Sequence, residues 1–242
     1  AVYNQENINY IDVYHIKKII KELQENNYDF SELFKIEWAY LPILDNNDEY
    51  RPITIEKRLS EDPQIFMDII CLAFKAEKEE TNKENDNTKL AINAYRLLNI
   101  WKLVPGINED GFVDENKLND WFNDMKKIAI KKDRLEISLL HLWQVLFYTN
   151  KDKDGFWIDR SVAQLLNRDD AETIRRGYSL QAFNSIGVVN VDSEGTAWLN
   201  LEKWNEKADK TDAKYFRFVK TLTDIAQDFH NQAIYMKEHY DL

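Results

Sequence analysis

A single cysteine, Cys71, stands among 242 residues. An internal disulfide is therefore excluded, and a lone thiol fits a reducing compartment, so a cytoplasmic setting is expected. Cys71 lies in the apolar stretch FMDIICLAFK, where a packed, inert thiol is the expected role. Glycine and proline are also scarce, at six and four residues. Sandwiches, barrels and Gly-rich nucleotide-binding folds need more such turn residues, so the scarcity points to helices. The histidines, His15, His141, His230 and His239, include no pair at the four-residue spacing of a helical zinc protease site, and no Cys-x-x-Cys occurs. A Gly-rich phosphate loop, a Gly-x-Ser-x-Gly elbow and a Cys–His pairing are missing as well. No catalytic residue, metal ligand or cofactor is therefore assigned, and a non-enzymatic role is expected. No apolar run approaches the roughly eighteen residues of a membrane span, and no signal-peptide pattern opens the chain. The first residue is Ala, not Met, which reads as a processed chain or, more readily, a piece cut from a longer protein.

What is abundant is acid and aromatic surface. Forty-three Asp and Glu face 32 Lys and Arg, for a formal net charge of −11. Such a chain repels nucleic acid and anionic membrane unless a local basic patch overrides the balance. Hydrophobic residues reach 44%, with seven Trp, twelve Tyr and twelve Phe, enough for a sizeable core. Helical spacing recurs along the chain. Asp29 with Glu32 opens a helix expected to break near Pro42. Asp62 followed by Pro63 opens another, and TKLAINAYRLLNIWKLVPG should run to Pro105-Gly106. Near the C-terminus, Phe216, Val219, Leu222, Ile225, Ala226 and Phe229 form a stripe. The polar run at 76–89 lacks apolar anchors and is the expected boundary between helical subdomains at 1–75 and 90–242. GVVNV, DSEG and TAWLNL read as a small β-hairpin at 188–199. The expected fold is all-α, a bundle or irregular helical repeat, with that one hairpin.

Asn150 to Ser161, NKDKDGFWIDRS, has the look of a calcium loop. With Gly155 at position six, Asn150, Asp152 and Asp154 occupy the first ligand positions. Position twelve is Ser161, however, which cannot supply the bidentate carboxylate. A near copy, NEDGFVDENKL, puts the cation Lys117 at that position. Both stretches lead to an Asp, Asp114 or Asp159, able to cap the next helix, so a shared turn-and-cap device accounts for both. On that reading Asp159→Ala costs about 1 kcal/mol through a lost cap, and Asp152→Ala costs little.

Residues 135–199 also follow the order of a winged helix: three helices, then the hairpin. Arg168, Arg175 and Arg176 would then meet nucleic acid, although Asp169, Asp170 and Glu172 crowd the same helix start. Trp38, Trp101, Trp121 and Trp143 belong to apolar helix faces. Trp198 and Trp204 are the candidates for contact with a protein partner.

Several phrases in order (ELFKIEWAYLPIL, RLSEDPQIFMDII, AYRLLNIWKLVPG, DGFVDENKLNDW, QVLFYTNKDKDGFWIDRSVAQLLN and FNSIGVV) resemble the C-terminal helical region of very large bacterial multidomain proteins. Those proteins are mostly uncharacterised, and some are suspected of roles in phage defence or stress. The resemblance spans most of residues 30–230, departs after Gly187, and carries no catalytic residues. It implies a cytoplasmic accessory region. Together these readings point to a non-catalytic protein-interaction, sensing or scaffold module of a larger bacterial protein, with a winged-helix nucleic-acid binder as the alternative.

Overall fold

A computed structural model describes residues 10–44, 49–74, 87–185 and 193–240. Among them the chain is all-α, with eleven α-helices and one isolated β-bridge, Ile107–Val113. It divides into two compact units, Ala1–Gly106 with Asp120–His141, and Ile107–Asn119 with Leu142–Leu242. This division differs from the one expected across the polar run. The helices flanking that run, α4 (Pro63–Ala73) and α5 (Asn87–Ile100), pack on each other inside the first unit. Their apolar faces outweigh the hydrophilic sequence between them. Residues 87–89 of the polar run open α5, and the rest of it lies outside the described residues.

The first unit also holds α1 (Tyr10–Glu25), α2 (Phe30–Leu44) and α3 (Ile53–Glu61), with most of α6 (Glu115–Lys131) and the start of α7 (Leu135–Phe147). Asp29 caps α2 by accepting from Glu32 N at 2.9 Å. The helix does not break at Pro42 but runs on to Leu44. Pro42 has no N–H for the Trp38 carbonyl one turn back, and Asn93 Nδ2 donates to that oxygen instead, at 3.3 Å. Asp62 and Pro63 open α4 as expected, the carboxylate accepting from Gln64 N. Helix α5 stops at Ile100, short of Pro105. At the centre, Phe66, Trp101 and Trp121 pack with ring centroids 5.2 to 6.1 Å apart.

Two buried carboxylates sit beside α3. Glu37, reaching across from α2, accepts from Ile55 N at 2.9 Å, Thr54 N at 3.2 Å and Gln24 Nε2 at 2.8 Å. It thereby satisfies two of the orphan amides that any helix leaves at its N-terminus. Glu56, on α3 itself, is held by Arg51 and accepts from Lys102 N at 3.2 Å. Burial raises the pKa of both above the ordinary value, and these hydrogen bonds pull it back in part.

The second unit holds α8 (Arg160–Leu166), α9 (Glu172–Asn184), α10 (Ser193–Lys210) and α11 (Phe216–Tyr240), with α8, α9 and α10 all packed on α11. The expected hairpin is not found: residues 193–199 are the first two turns of α10, and 188–192 lie outside the described residues. The winged-helix reading loses its wing over those residues. TAWLNL is a short, apolar-rich run like a strand, but the longer pattern is helical. Ala197, Trp204 and Ala208 are buried at seven- and four-residue spacings against α11. On α11, Phe218, Leu222, Ile225 and Phe229 are buried and Phe216 is exposed, so the stripe starts two residues later than expected. Neither Asp169 nor Asp170 caps α9. A 3-10 turn at Asp169–Ala171 intervenes, and the two carboxylates pair with Arg217 and Arg168.

Gly177 lies in the middle of α9, where glycine is about 1 kcal/mol worse than alanine. A Cβ there would fall 1.8 to 2.2 Å from Cδ1, Cγ and Nε1 of the Trp143 indole. Gly177→Ala should therefore destabilise by more than about 3 kcal/mol, through overpacking. Adding Trp143→Leu should recover part of the loss, and urea denaturation of the single and double variants measures the coupling. In the first unit Glu37→Ala, which strands two buried amides, should cost about 3 kcal/mol. Because the folded pKa of Glu37 is raised, its contribution to stability falls as pH rises above the ordinary 4.5. Glu37→Gln should accordingly gain on the wild type as pH rises from there, in denaturation midpoints taken across the range.

Candidate functional site

Asp152 and Asn108 begin two turns of one design. Asp152 N donates to Phe156 O at 3.1 Å, Gly155 N returns to Asp152 O at 2.9 Å, and Asp152 Oδ1 accepts from Phe156 N at 2.8 Å. The equivalent bonds at Asn108 run to Phe112 O at 2.8 Å, from Gly111 N at 3.0 Å and from Phe112 N at 3.0 Å. Gly155 and Gly111 have φ of 80° and 82°, the left-handed region that glycine enters without strain. Asp152 Oδ1 also takes Asp154 N at 2.9 Å, while Oδ2 faces Arg160 Nε at 3.1 Å. Arg160 holds Asp154 too. The loop's carboxylates are thus directed at backbone amides and a guanidinium. Among the described residues, no group of three or more His, Cys, Asp or Glu is arranged to hold a metal ion.

The two turns are joined through Asp159. Its Oδ1 caps α8 by accepting from Ser161 N at 2.8 Å, and its Oδ2 accepts from Val113 N at 3.0 Å. Ser161 Oγ donates to Val113 O at 3.0 Å, so both backbone groups of Val113 are bound. Asp114 caps α6 in turn, taking Lys117 N at 3.0 Å. The sequence signals the caps. It does not signal the bridge, which joins residues 46 positions apart in the chain.

The three arginines of the nucleic-acid reading are differently placed. Arg168 pairs with Asp170 at 2.9 Å and donates to Asn119 Oδ1. Arg175 donates to the Leu166 and Arg168 carbonyls, both at 2.7 Å, which closes the C-terminal end of α8. Burial, and then Arg217, lower its pKa from the usual value. Arg176 is exposed. The two tryptophans also part company. Trp204 is only 1% exposed and packs beside Phe147 and Tyr178, so it offers no surface to a partner. Trp198 is 37% exposed, its ring edge-on to His230, and the adjacent Leu199 is 67% exposed.

A feature absent from the sequence reading is a groove of about 560 Å³ in the first unit, running along α5 to the end of α4. Ala73, Ala91, Ile92, Tyr95 and Ile100 form its apolar lining and Arg96 and Asn99 its polar one. Ile92 and Tyr95 are 46% and 51% exposed, while Ala94, Leu97 and Leu98 on the same helix, and Trp101 just past its end, are buried. Helix α5 therefore has two apolar faces, and only one is used by the core. The signal was legible: TKLAINAYRLLNIW carries more apolar positions than one buried stripe requires.

No protein-family model, curated protein or solved structure matches the chain. No helix among the described residues is long and apolar enough to cross a membrane.

The turn geometry reverses one expectation from the sequence. Asp152→Ala should cost about 2 kcal/mol, since it strands two amides and leaves Arg160 without one of its carboxylates. Asp159→Ala should exceed the 1 kcal/mol of a simple cap and reach about 2–3 kcal/mol. It should also speed hydrogen exchange at the Val113 amide. Urea denaturation with amide exchange tests both variants, and an unchanged Val113 rate would refute the bridge.

Proposed function

We propose that this chain is a non-catalytic interaction module of a larger bacterial protein, and that it docks a protein partner in the groove along α5. The observation that carries the reading is the second apolar face of α5, exposed over Leu90, Ile92 and Tyr95 beside a groove of about 560 Å³. Contiguous apolar surface of this kind is kept in proteins mainly where something binds it. The volume lies within the usual range for a binding cleft and suits a few apolar side chains presented by a helix or extended segment. An acidic chain and apolar walls both favour a peptide segment over a nucleic-acid backbone. The engagement of Arg168 and Arg175 in internal contacts, and the helix at 193–199, weigh against the winged-helix alternative.

A photo-crosslinking phenylalanine analogue in place of Tyr95 tests the reading in the cells that make the protein. A discrete protein adduct is expected from position 95, absent with the probe at exposed Lys57, and lost when Ile92→Asp is added without a change in melting temperature. Equal adducts at both positions, or none, would refute the groove. A mobility shift with DNA at micromolar protein and low salt would instead favour the nucleic-acid reading.

A further inference from the structure

We infer that the occupant of the α5 groove is an amphipathic helix of the partner, with two carboxylates seven residues apart beside its apolar stripe; this rests on the groove being the docking site. Along α5 the lining recurs every three or four residues, through Thr88, Ala91, Tyr95 and Asn99, with Ile92 and Arg96 beside them. That row spans about three helical turns, or ~17 Å at ~1.5 Å per residue. A second helix lying alongside repeats its side chains at the same pitch, so they enter the gaps in register. An extended segment repeats its same-face side chains every ~6.7 Å and drifts out of step. It would also bring backbone N–H and C=O groups that need partners, and a helix wall has already used its own. Ala73, from α4, and Ala91 leave room for a bulky apolar side chain.

Charge narrows the partner further. The chain as a whole is acidic, at −11, yet the two charged residues of Asn87–Ile100 are both cations, Lys89 and Arg96. Arg96 lines the groove, and Lys89 is exposed next to Thr88. Their seven-residue separation is nearly two full turns, so they share one side of α5, about 10.5 Å apart along its axis. Within α4 and α5 the one acidic side chain is Asp68, and it is taken by Lys132 at 2.9 Å and Gln64 at 2.8 Å. At the C-terminal end of α4, where free carbonyls would oppose a carboxylate, Phe74 O accepts from Arg134 Nε at 3.1 Å. The groove is thus an apolar trough with a cationic edge, in a molecule whose net charge repels acidic segments. An opposing helix meets that edge with Asp or Glu at positions i and i+7, and fills the trough with apolar residues between them.

The probe is a phage-displayed library of random peptides of about fourteen residues, long enough to span the groove as a helix. It is selected on the intact chain and, in parallel, on Ile92→Asp, Arg96→Glu and Lys89→Glu. Peptides retained by the wild type and lost on Ile92→Asp report the groove. Among them, acidic pairs at i and i+7 should be enriched about threefold over the unselected library, the gain expected of an exposed ion pair. Proline should be depleted from their central turns. Arg96→Glu should turn the preference at one of the two positions to Lys or Arg, and Lys89→Glu at the other. Groove-dependent peptides that lack the acidic excess, ignore both charge reversals or carry central prolines overturn this inference and leave the docking site standing. A selection that yields no groove-dependent peptide overturns it too, and if the adduct at position 95 is also missing, the docking site goes with it.

Discussion

Every helix begins with backbone amides that its own carbonyls cannot reach, and this chain meets that demand with carboxylates. Asp29, Asp62, Asp114, Asp159 and Asp212 each accept an amide at the start of a helix or helical turn. Glu37 does the same for α3 from another helix. In the shortest helices, α8 with seven residues and α3 with nine, these free ends are a large share of the whole. Part of the acidic excess is thus structural: carboxylates suit the positive end of a helix dipole as well as its free amides. An acidic composition in such a chain says less about partners than its net charge suggests.

The same interactions set how far each contact reaches. Asp29, Asp62 and Asp114 act within three residues of their own position. Asp159 does more, because its second oxygen takes the Val113 amide and ties the 107–113 turn to the start of α8. That bond, with Ser161 on the Val113 carbonyl, helps hold Ile107–Asn119 in the second unit although most of α6 belongs to the first. Glu37 and Glu56 hold α3 from inside the first unit at the expense of burying charge, which appears as a raised pKa in each. The Trp143 indole against Gly177 is the apolar counterpart: close approach is reached by omitting a side chain where a helix would favour one.

Much of the helical order and four of the caps, Asp29, Asp62, Asp114 and Asp159, were legible, because cap and helix are adjacent in sequence and the apolar period is strong. The hairpin at 188–199 was misread. The short apolar-rich run TAWLNL was weighed without the longer register that Ala197, Trp204 and Ala208 impose once α11 is present to cover it. Trp204 was misplaced at the surface for the same reason. Asp152 was undervalued because a carboxylate in a polar loop gives no sign in sequence that Phe156 N, Asp154 N and Arg160 converge on it. The groove was legible in part, as surplus apolar positions on α5, but not the end of α4 that closes it.

The sequence by itself determined that the described chain is helical, where most of its helices start, and that Asp-Gly-Phe turns recur before capped helices. These depend on residues within a turn or two of one another, and short-range sterics and hydrogen bonding decide them. Only the tertiary structure decided which side of each helix is covered. It set α5 facing both core and solvent, brought Lys207 between two indoles, and joined Asp159 to Val113. Those outcomes rest on which apolar faces find each other over tens of residues, and no local preference of the chain encodes that pairing.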